Sequence, residues 1–253
     1  MEKSNNYIYG RNAVTEAIVS GKTIEKIFIA FGAQGDNISR IFSLAKKNKI
    51  IISTIDRKKF SDLERNNNLP EGKSQGIIAL LRSFDLLNID ELIRVSYQQS
   101  DKPILIILDE IEDPQNLGAI ARSAECAGCS GIILTNKNSS PISPTAIKAS
   151  AGALEIIKIS KVDSVVQVIE KLKESGFWIV GTDMSGDRIY TDKIYDSPIA
   201  LVIGSEGRGM RPSTIKHCDF LIKIPLLGKI NSLNASATSA IVLFEILRQR
   251  RSI

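Results

Sequence analysis

Apolar positions in the first third of this chain come in short runs that alternate with segments of helical spacing. Asn12–Ser20 reads as a short helix after a turn at Tyr7–Gly10, Lys26–Phe31 as a strand, Asn37–Lys47 as a helix and Ile50–Thr54 as a strand. Asp56–Arg65 opens on a capping acceptor and keeps its charges to one side, which predicts a third helix. A polar loop over 66–72 then leads to an apolar strand, Gly76–Leu81. Residues 1–82 are thus expected to form a small α/β unit. Residues 83–102 are polar, hold one weak amphipathic helix around Ile89–Tyr97, and read as a linker. Beyond them Ile104–Leu108 is apolar on both faces, as a central parallel strand is. Further strands are predicted at 131–134, 155–159, 177–180, 200–203 and 221–224. Helices are predicted at 117–127, after Pro144, at 164–173 and at 235–250. This alternation predicts a second α/β domain over 103–253, a parallel sheet with helices on both sides.

Composition adds little until it is divided along the chain. With 43% hydrophobic and 24% charged residues the protein falls in the ordinary globular class. No apolar run approaches the roughly 20 residues needed to span a bilayer. The start, Met1–Asn6, lacks the apolar core of a leader, so a cytoplasmic protein with no membrane partner is expected. The net charge of +5 is unevenly placed. Residues 1–82 carry 14 Lys and Arg against 8 Asp and Glu, a balance of +6, whereas 83–253 carry 19 against 20, a balance of −1. A basic unit beside a neutral one suits a polyanion-docking module, although a solvated lysine-rich surface explains the charge equally well. Three cysteines make no disulfide framework. Cys126 and Cys129 form a lone C-x-x-C, with Cys126 expected as small apolar filler in an alanine-rich helix. His217 is the single histidine, and no metal site is expected.

The chemistry gathers at three places in the second half. The first predicted strand there runs into Asp109–Asn116 with no G-x-G-x-x-G, which excludes a nicotinamide dehydrogenase and the commonest methyltransferase fold. Asn116-Leu-Gly-Ala-Ile-Ala-Arg122 enters a helix, where Asn116 is either its cap or a ligand group. Gly118 weakens that helix without a reason visible in the sequence, and Arg122 stands among alanines with room for a phosphate at its planar fork. Gly204-Ser-Glu-Gly-Arg-Gly209 follows an apolar strand, where α/β sheets place ligands. Glu206 suits orienting an amide such as Asn116, or a cationic group, better than it suits binding phosphate. Ser232-Leu-Asn234-Ala-Ser236 precedes the last helix and holds more polar groups than one cap requires. Glu245 within that helix is either a flank charge or a brace for the loop, and Arg248–Arg251 is expected to complement the helix dipole.

These stretches, N-x-G-x-x-x-R, G-x-E-x-x-G and S-L-N-x-S, resemble the signature motifs of the SpoU (TrmH-type) family of RNA ribose 2'-O-methyltransferases. The start, Tyr9-Gly10-x-Asn12-Ala13-Val14, with Gln75-Gly76-Ile77, resembles the small ribosomal-protein-like RNA-binding domain of its large-ribosomal-RNA members, the RlmB-type subgroup above all. One departure is Ser74, where that subgroup leads one to expect histidine. The resemblance implies an RNA substrate-binding domain over 1–82, a linker over 83–102, and a SPOUT-type domain over 103–253 whose parallel sheet is tied in a trefoil knot. It implies S-adenosylmethionine as cofactor, held by backbone groups at Gly204, Ile224 and Leu233, with Thr182 a further candidate. It assigns Asn116, Arg122, Glu206, Ser232 and Asn234 to catalysis. It also implies a homodimer in which Arg122 serves the partner's site. A neutral guanidine is costly to form, so Arg122 is expected to bind the phosphate and hydroxyl while the proton passes to phosphate or water. A guanosine of 23S ribosomal RNA is the expected target. Transfer-RNA ribose methylation, antibiotic-resistance methylation of ribosomal RNA and a non-catalytic ribosome-assembly role are the alternatives.

Overall fold

In the computed structural model, which describes residues 6–70, 72–82 and 84–251, the chain divides at Phe84 into two compact units. The expectation about a leader at Met1–Asn6 falls, but for Asn6, outside the described residues.

The first unit runs β1 (Tyr7–Tyr9), α1 (Arg11–Val19), β2 (Ile24–Ala30), α2 (Asp36–Lys47), β3 (Ile51–Ile55), α3 (Arg57–Asn66) and β4 (Ile77–Leu81). Its four strands lie in the order β1-β4-β2-β3. The stretch read as a turn at Tyr7–Gly10 is in fact β1, a three-residue strand antiparallel to β4 and too short to show a period. One face of the sheet packs on α1 and α2 through Val14, Ile18, Ile38 and Ile41, the other on α3 through Phe60. Ser74, in the place expected of histidine, is buried and donates its hydroxyl to the buried carboxylate of Glu64. Ser74 thus makes a buried polar contact beneath the loop before β4.

The second unit runs β5 (Leu86–Leu87), α4 (Ile89–Gln99), β6 (Ile104–Asp109), α5 (Pro114–Cys126), β7 (Gly131–Thr135), α6 (Pro144–Ala149), α7 (Ala153–Ile156) and β8 (Lys158–Val162). It continues with α8 (Val165–Glu174), β9 (Trp178–Thr182), β10 (Arg188–Ile189), β11 (Ile199–Gly204), α9 (Pro212–Ile215), β12 (Phe220–Lys223) and α10 (Ala235–Arg251). The linker reading of 83–102 is corrected here: β5 pairs with β8, and α4 buries Leu92 in the core of this unit. Asn88 and Glu91 close a capping box at the start of α4, so a full helix starts where sequence reading placed a weak one. The strand expected at 155–159 begins later, because Ala153–Ile156 is a helical turn.

Eight strands make one sheet, β10-β12-β9-β11-β6-β7-β8-β5, parallel at every pairing. Every residue of β6 is buried, as its unbroken apolar run requires. Ile106 and Leu108 face α5 and α10, while Leu105 and Ile107 face α4 and α8. Gly118 now has a structural reason: a Cβ there would lie 2.4 Å from the Ala146 carbonyl oxygen, so α5 and α6 touch backbone to backbone. Cys126 is exposed rather than filler, whereas Cys129 is buried and burial pushes its thiol up to about 12. The last turns of α10 hold more than a dipole complement. Glu245 takes two bonds from Arg248 at 2.8 Å and one from Gln249, while Arg250 donates to the carbonyls of Tyr195, Lys102 and Ser197. Glu245 thus braces its own helix and not the loop before it. Among the described residues no helix is long and apolar enough to cross a membrane.

Candidate active site

From β6 the chain moves to β7 and β8 on one side, then returns through β9, β11 and β12 on the other. Ligands of open α/β sheets bind at the carboxyl ends of strands beside such a reversal. Here the ends of β6 and β11 stand in register, Asp109 opposite Gly204.

Asp109 is wholly buried and was missed in the sequence. It accepts from the Arg211 backbone N–H at 3.0 Å and from Nε at 2.7 Å, and pairs with Nη2 at 2.7 Å. One carboxylate thus ties the end of β6 to the exit of the loop 205–210. That loop turns back tightly, with paired backbone bonds between Ser205 and Gly209. A Cβ on Gly204 would lie 2.2 Å from the Gly209 carbonyl carbon and the Met210 nitrogen, so only glycine fits.

The helix cap proves to be Asp113, whose side chain accepts from Gln115 N–H, with Pro114 at the first helical position. Asn116 is therefore free of capping. It is 6% exposed, and its Nδ2 donates to Glu206 Oε1 at 2.9 Å. Asn234 Nδ2 donates to Asn116 Oδ1 at 3.0 Å and also to Glu206. Asn234 Oδ1 meanwhile accepts the backbone N–H of Ser236 at 2.9 Å and of Ala237 at 3.3 Å, capping α10. Three residues from three distant stretches thus close one hydrogen-bonded triangle, in which each amide donates toward the single carboxylate. A negative group receiving two N–H donors is held more firmly than a neutral one would be.

Against the Glu206 corner of this triangle opens a cavity of about 370 Å³. Its lining includes all four residues expected to hold a cofactor, Thr182, Gly204, Ile224 and Leu233, together with Glu206 and Ser232. Its walls combine exposed backbone of the glycine loop with aliphatic side chains such as Ile203 and Ile222, the mixture a nucleoside with a charged tail needs. A neighbouring cavity of about 280 Å³ shares Ser205, Glu206 and Gly207 with the first and adds Asn116 and Arg208. Arg122 is not brought to either. It lies six residues beyond Asn116, about 120° around α5, exposed and without an ion pair among the described residues. Arg211 and Arg208 are the other functional candidates that sequence reading passed over. An arginine just past a glycine loop gives no periodic signal.

The fold and the pocket define an α/β ligand-binding enzyme domain that sets a hydrogen-bonded carboxylate–amide cluster against a nucleoside-sized cavity. The SpoU rRNA methylase family matches residues 103–244, and the RNA 2'-O ribose methyltransferase substrate-binding domain matches residues 7–86. YacO of Bacillus subtilis (strain 168), assigned to the TrmH family of tRNA/rRNA methyltransferases, is 35% identical over 253 residues, covering 100% of this chain and 99% of that one. A protein of the same assignment from Staphylococcus haemolyticus is 38% identical over 246 residues, 97% of this chain and 96% of its own. Among solved structures, the SpoU methyltransferase AviRb of Streptomyces viridochromogenes in complex with AdoMet superposes with a TM-score of 0.63 at 22% identity, over 98% of this chain and 91% of that one. An AdoMet-bound rRNA methyltransferase from Sinorhizobium meliloti gives 0.62 at 23% identity, over 96% and 87%. The chain belongs to the SpoU rRNA methylase family, a family of RNA methyltransferases.

Proposed function

We propose that this protein methylates a ribose 2'-hydroxyl of RNA with S-adenosylmethionine, and that its target is a guanosine in 23S ribosomal RNA. The observation that carries the reaction is the Asn116–Glu206–Asn234 triangle, whose Glu206 lines the 370 Å³ cavity. The glycine loop and aliphatic walls fit the cofactor, with Thr182, Gly204, Ile224 and Leu233 around it. When bound, S-adenosylmethionine supplies an electrophilic methyl group. Asn116, Ser232 and Asn234 then orient the hydroxyl and Glu206 fixes the two amides. Arg122 would hold the adjacent phosphate, and the hydroxyl proton would pass to that phosphate or to water. Holding reactants in this way is worth about 7–11 kcal/mol of barrier in favourable cases.

Arg122 reaches a site only across a homodimer. The exposed face of α5 bearing Arg122 and Cys126, and the exposed Ile241 and Phe244 of α10, support such an interface. The strand order β12-β9-β11-β6, with α10 returning to pack on α5, supports a trefoil crossing of the last segment. The domain division that goes with this reading is RNA docking in the first unit and methyl transfer in the second. Location in the cytoplasm, with the ribosome's RNA, follows from the same reading.

The choice of ribosomal RNA rests on the first unit. The tRNA-modifying enzyme of A. aeolicus and the structure described for C/U34 of tRNA match only 65% and 61% of this chain, whereas the S. meliloti rRNA methyltransferase matches 96%. The test is mass-spectrometric mapping of 2'-O-methyl groups in RNA from a strain lacking the gene, followed by remethylation with the purified protein. A single guanosine of 23S RNA is expected to lose and regain its methyl group. Loss confined to a tRNA would replace the target, and no loss with no remethylation would remove the enzymatic reading.

A further inference from the structure

At one end of the first unit's sheet, the end of β2 meets the starts of α1, α3 and β4. Phe31 stands there, just past β2, with its backbone N–H bonded to the Ile55 carbonyl at 2.7 Å and its side chain 72% exposed. A single exposed apolar side chain needs no explanation by itself. What surrounds this one does. The loop that follows it is built of Gly32 and Gly35, both at positive φ, and arginines lie against each. A Cβ on Gly32 would lie 3.6 Å from Arg57 Nη2, and one on Gly35 only 3.1 Å from Arg11 Nη1. Arg11 is also fixed from below, its Nε donating to the Gln75 carbonyl at 3.2 Å while its backbone N–H meets Gln75 Oε1 at 3.3 Å. Neither arginine has an acidic partner among the described residues.

The charge of this end is one-sided. Arg11, Arg57, Lys58, Lys59 and Lys73 stand against Asp36 and Asp56, and Asp56 is engaged by Lys59, whose backbone N–H it accepts at 2.9 Å. An exposed aromatic ring leading into a loop against which two guanidinium groups lie, in a basic setting, matches the needs of an unpaired nucleotide. Its base has a π-face to stack, and its phosphates want planar donors on either side. A regular duplex hides its bases and would leave the ring unused.

We propose that this loop end of the first unit binds single-stranded RNA, with Phe31 as the platform for one base and Arg11 and Arg57 as phosphate contacts. The inference rests on the reading of the protein as an RNA methyltransferase and adds where the RNA strand is held and in what form. The test uses the full chain and a fluorescent single-stranded RNA 20-mer of mixed sequence, followed by anisotropy, beside the same sequence as a duplex. F31A should weaken single-strand binding about 5-fold or more, the range of one lost base stack, with little effect on the duplex. F31W should restore it. R11Q and R57Q should each reduce the slope of log affinity against log salt by about 0.7. S-adenosylmethionine affinity and thermal stability should stay at wild-type values in all four.

Single-strand affinity of F31A within twofold of wild type would overturn the proposal, and so would equal losses on F31A and F31W. If wild-type protein methylates ribosomal RNA while these variants bind and methylate like it, this face alone falls. If wild-type protein binds neither RNA, the broader reading falls with it.

Discussion

Replacing Gly204 by alanine tests the pocket at its tightest point. The added methyl would meet the Gly209 carbonyl carbon and the Met210 nitrogen at 2.2 Å, well inside ordinary van der Waals contact. Both obstacles are backbone, so no side chain can rotate away. The loop must move by more than 1 Å as a rough estimate, against the Asp109–Arg211 tie that holds its exit. Overpacking of this kind costs about 1–3 kcal/mol, and the rigid neighbours place the expected loss near about 3. For a domain of this size that is a fall of about 6–12 °C in the second unit's melting temperature. Because the displaced loop lines the cavity proposed for the cofactor, affinity for S-adenosylmethionine should fall at least about tenfold, equivalent to about 1.4 kcal/mol. Gly207→Ala is the control, since a Cβ there meets nothing within 4 Å and should leave the melting temperature unchanged. Differential scanning calorimetry and titration with cofactor read both quantities. A Gly204→Ala protein that melts with wild type and binds cofactor normally would refute the close approach on which the site's geometry depends.

Three further outcomes follow. Arg122→Ala should abolish methyl transfer while isothermal titration still finds cofactor bound, and near-normal turnover would remove Arg122 from the site. Asp109→Asn presents an amide donor to one of the Arg211 donors, so about 2–4 kcal/mol of stability should be lost by urea unfolding, toward the lower end because Arg211 is partly exposed. Unchanged unfolding would show the pair to be incidental. Burial pushes both Cys129 and Cys218 up to about 12 from an ordinary value of 9.0. A folded-state value raised in this way leaves its contribution intact below pH 9 and removes it as pH rises toward 12, because the unfolded chain releases these protons first. Stability should therefore decline above pH 9, and a thiol reagent at pH 8 should label native protein fastest at exposed Cys126, more slowly at half-buried Cys218 and slowest at Cys129; rapid labelling of Cys129 would contradict its burial.

The central sheet of the second unit was legible because β6 and β11 are unbroken aliphatic runs with a single buried fate. Sequence patterns read less well wherever the deciding contact was distant. Polar residues near 98–102 made 83–102 look like a linker, although Asn88 and Glu91 already spelled a capping box and Leu92 needed a core. Asp113-Pro114 likewise signalled the true start of α5, which releases Asn116 from the capping role. Gly118 was unexplained because its reason is the Ala146 backbone, twenty-eight residues away on α6. Asn116, Glu206 and Asn234 could be named as candidates from their motifs, but the bonds joining them span 90 and 118 residues. The Asp109–Arg211 pair, 102 residues apart, has no motif at all and waited for the fold. Arg122 was named with the others, yet helical geometry turns it to a different face.

The two ends of the Asn234 amide answer to different masters: its oxygen begins the final helix and its nitrogen joins Asn116 to Glu206. The group cannot flip without breaking both, so its orientation is set by geometry alone. Aspartate, ordinarily an equal substitute at such a helix start, would confront Glu206 with a second negative charge. Serine would begin the helix equally well and fall short of the neighbouring side chains. Position 234 therefore tolerates neither common replacement, and a change there that leaves the helix intact would still break the bonds to Asn116 and Glu206.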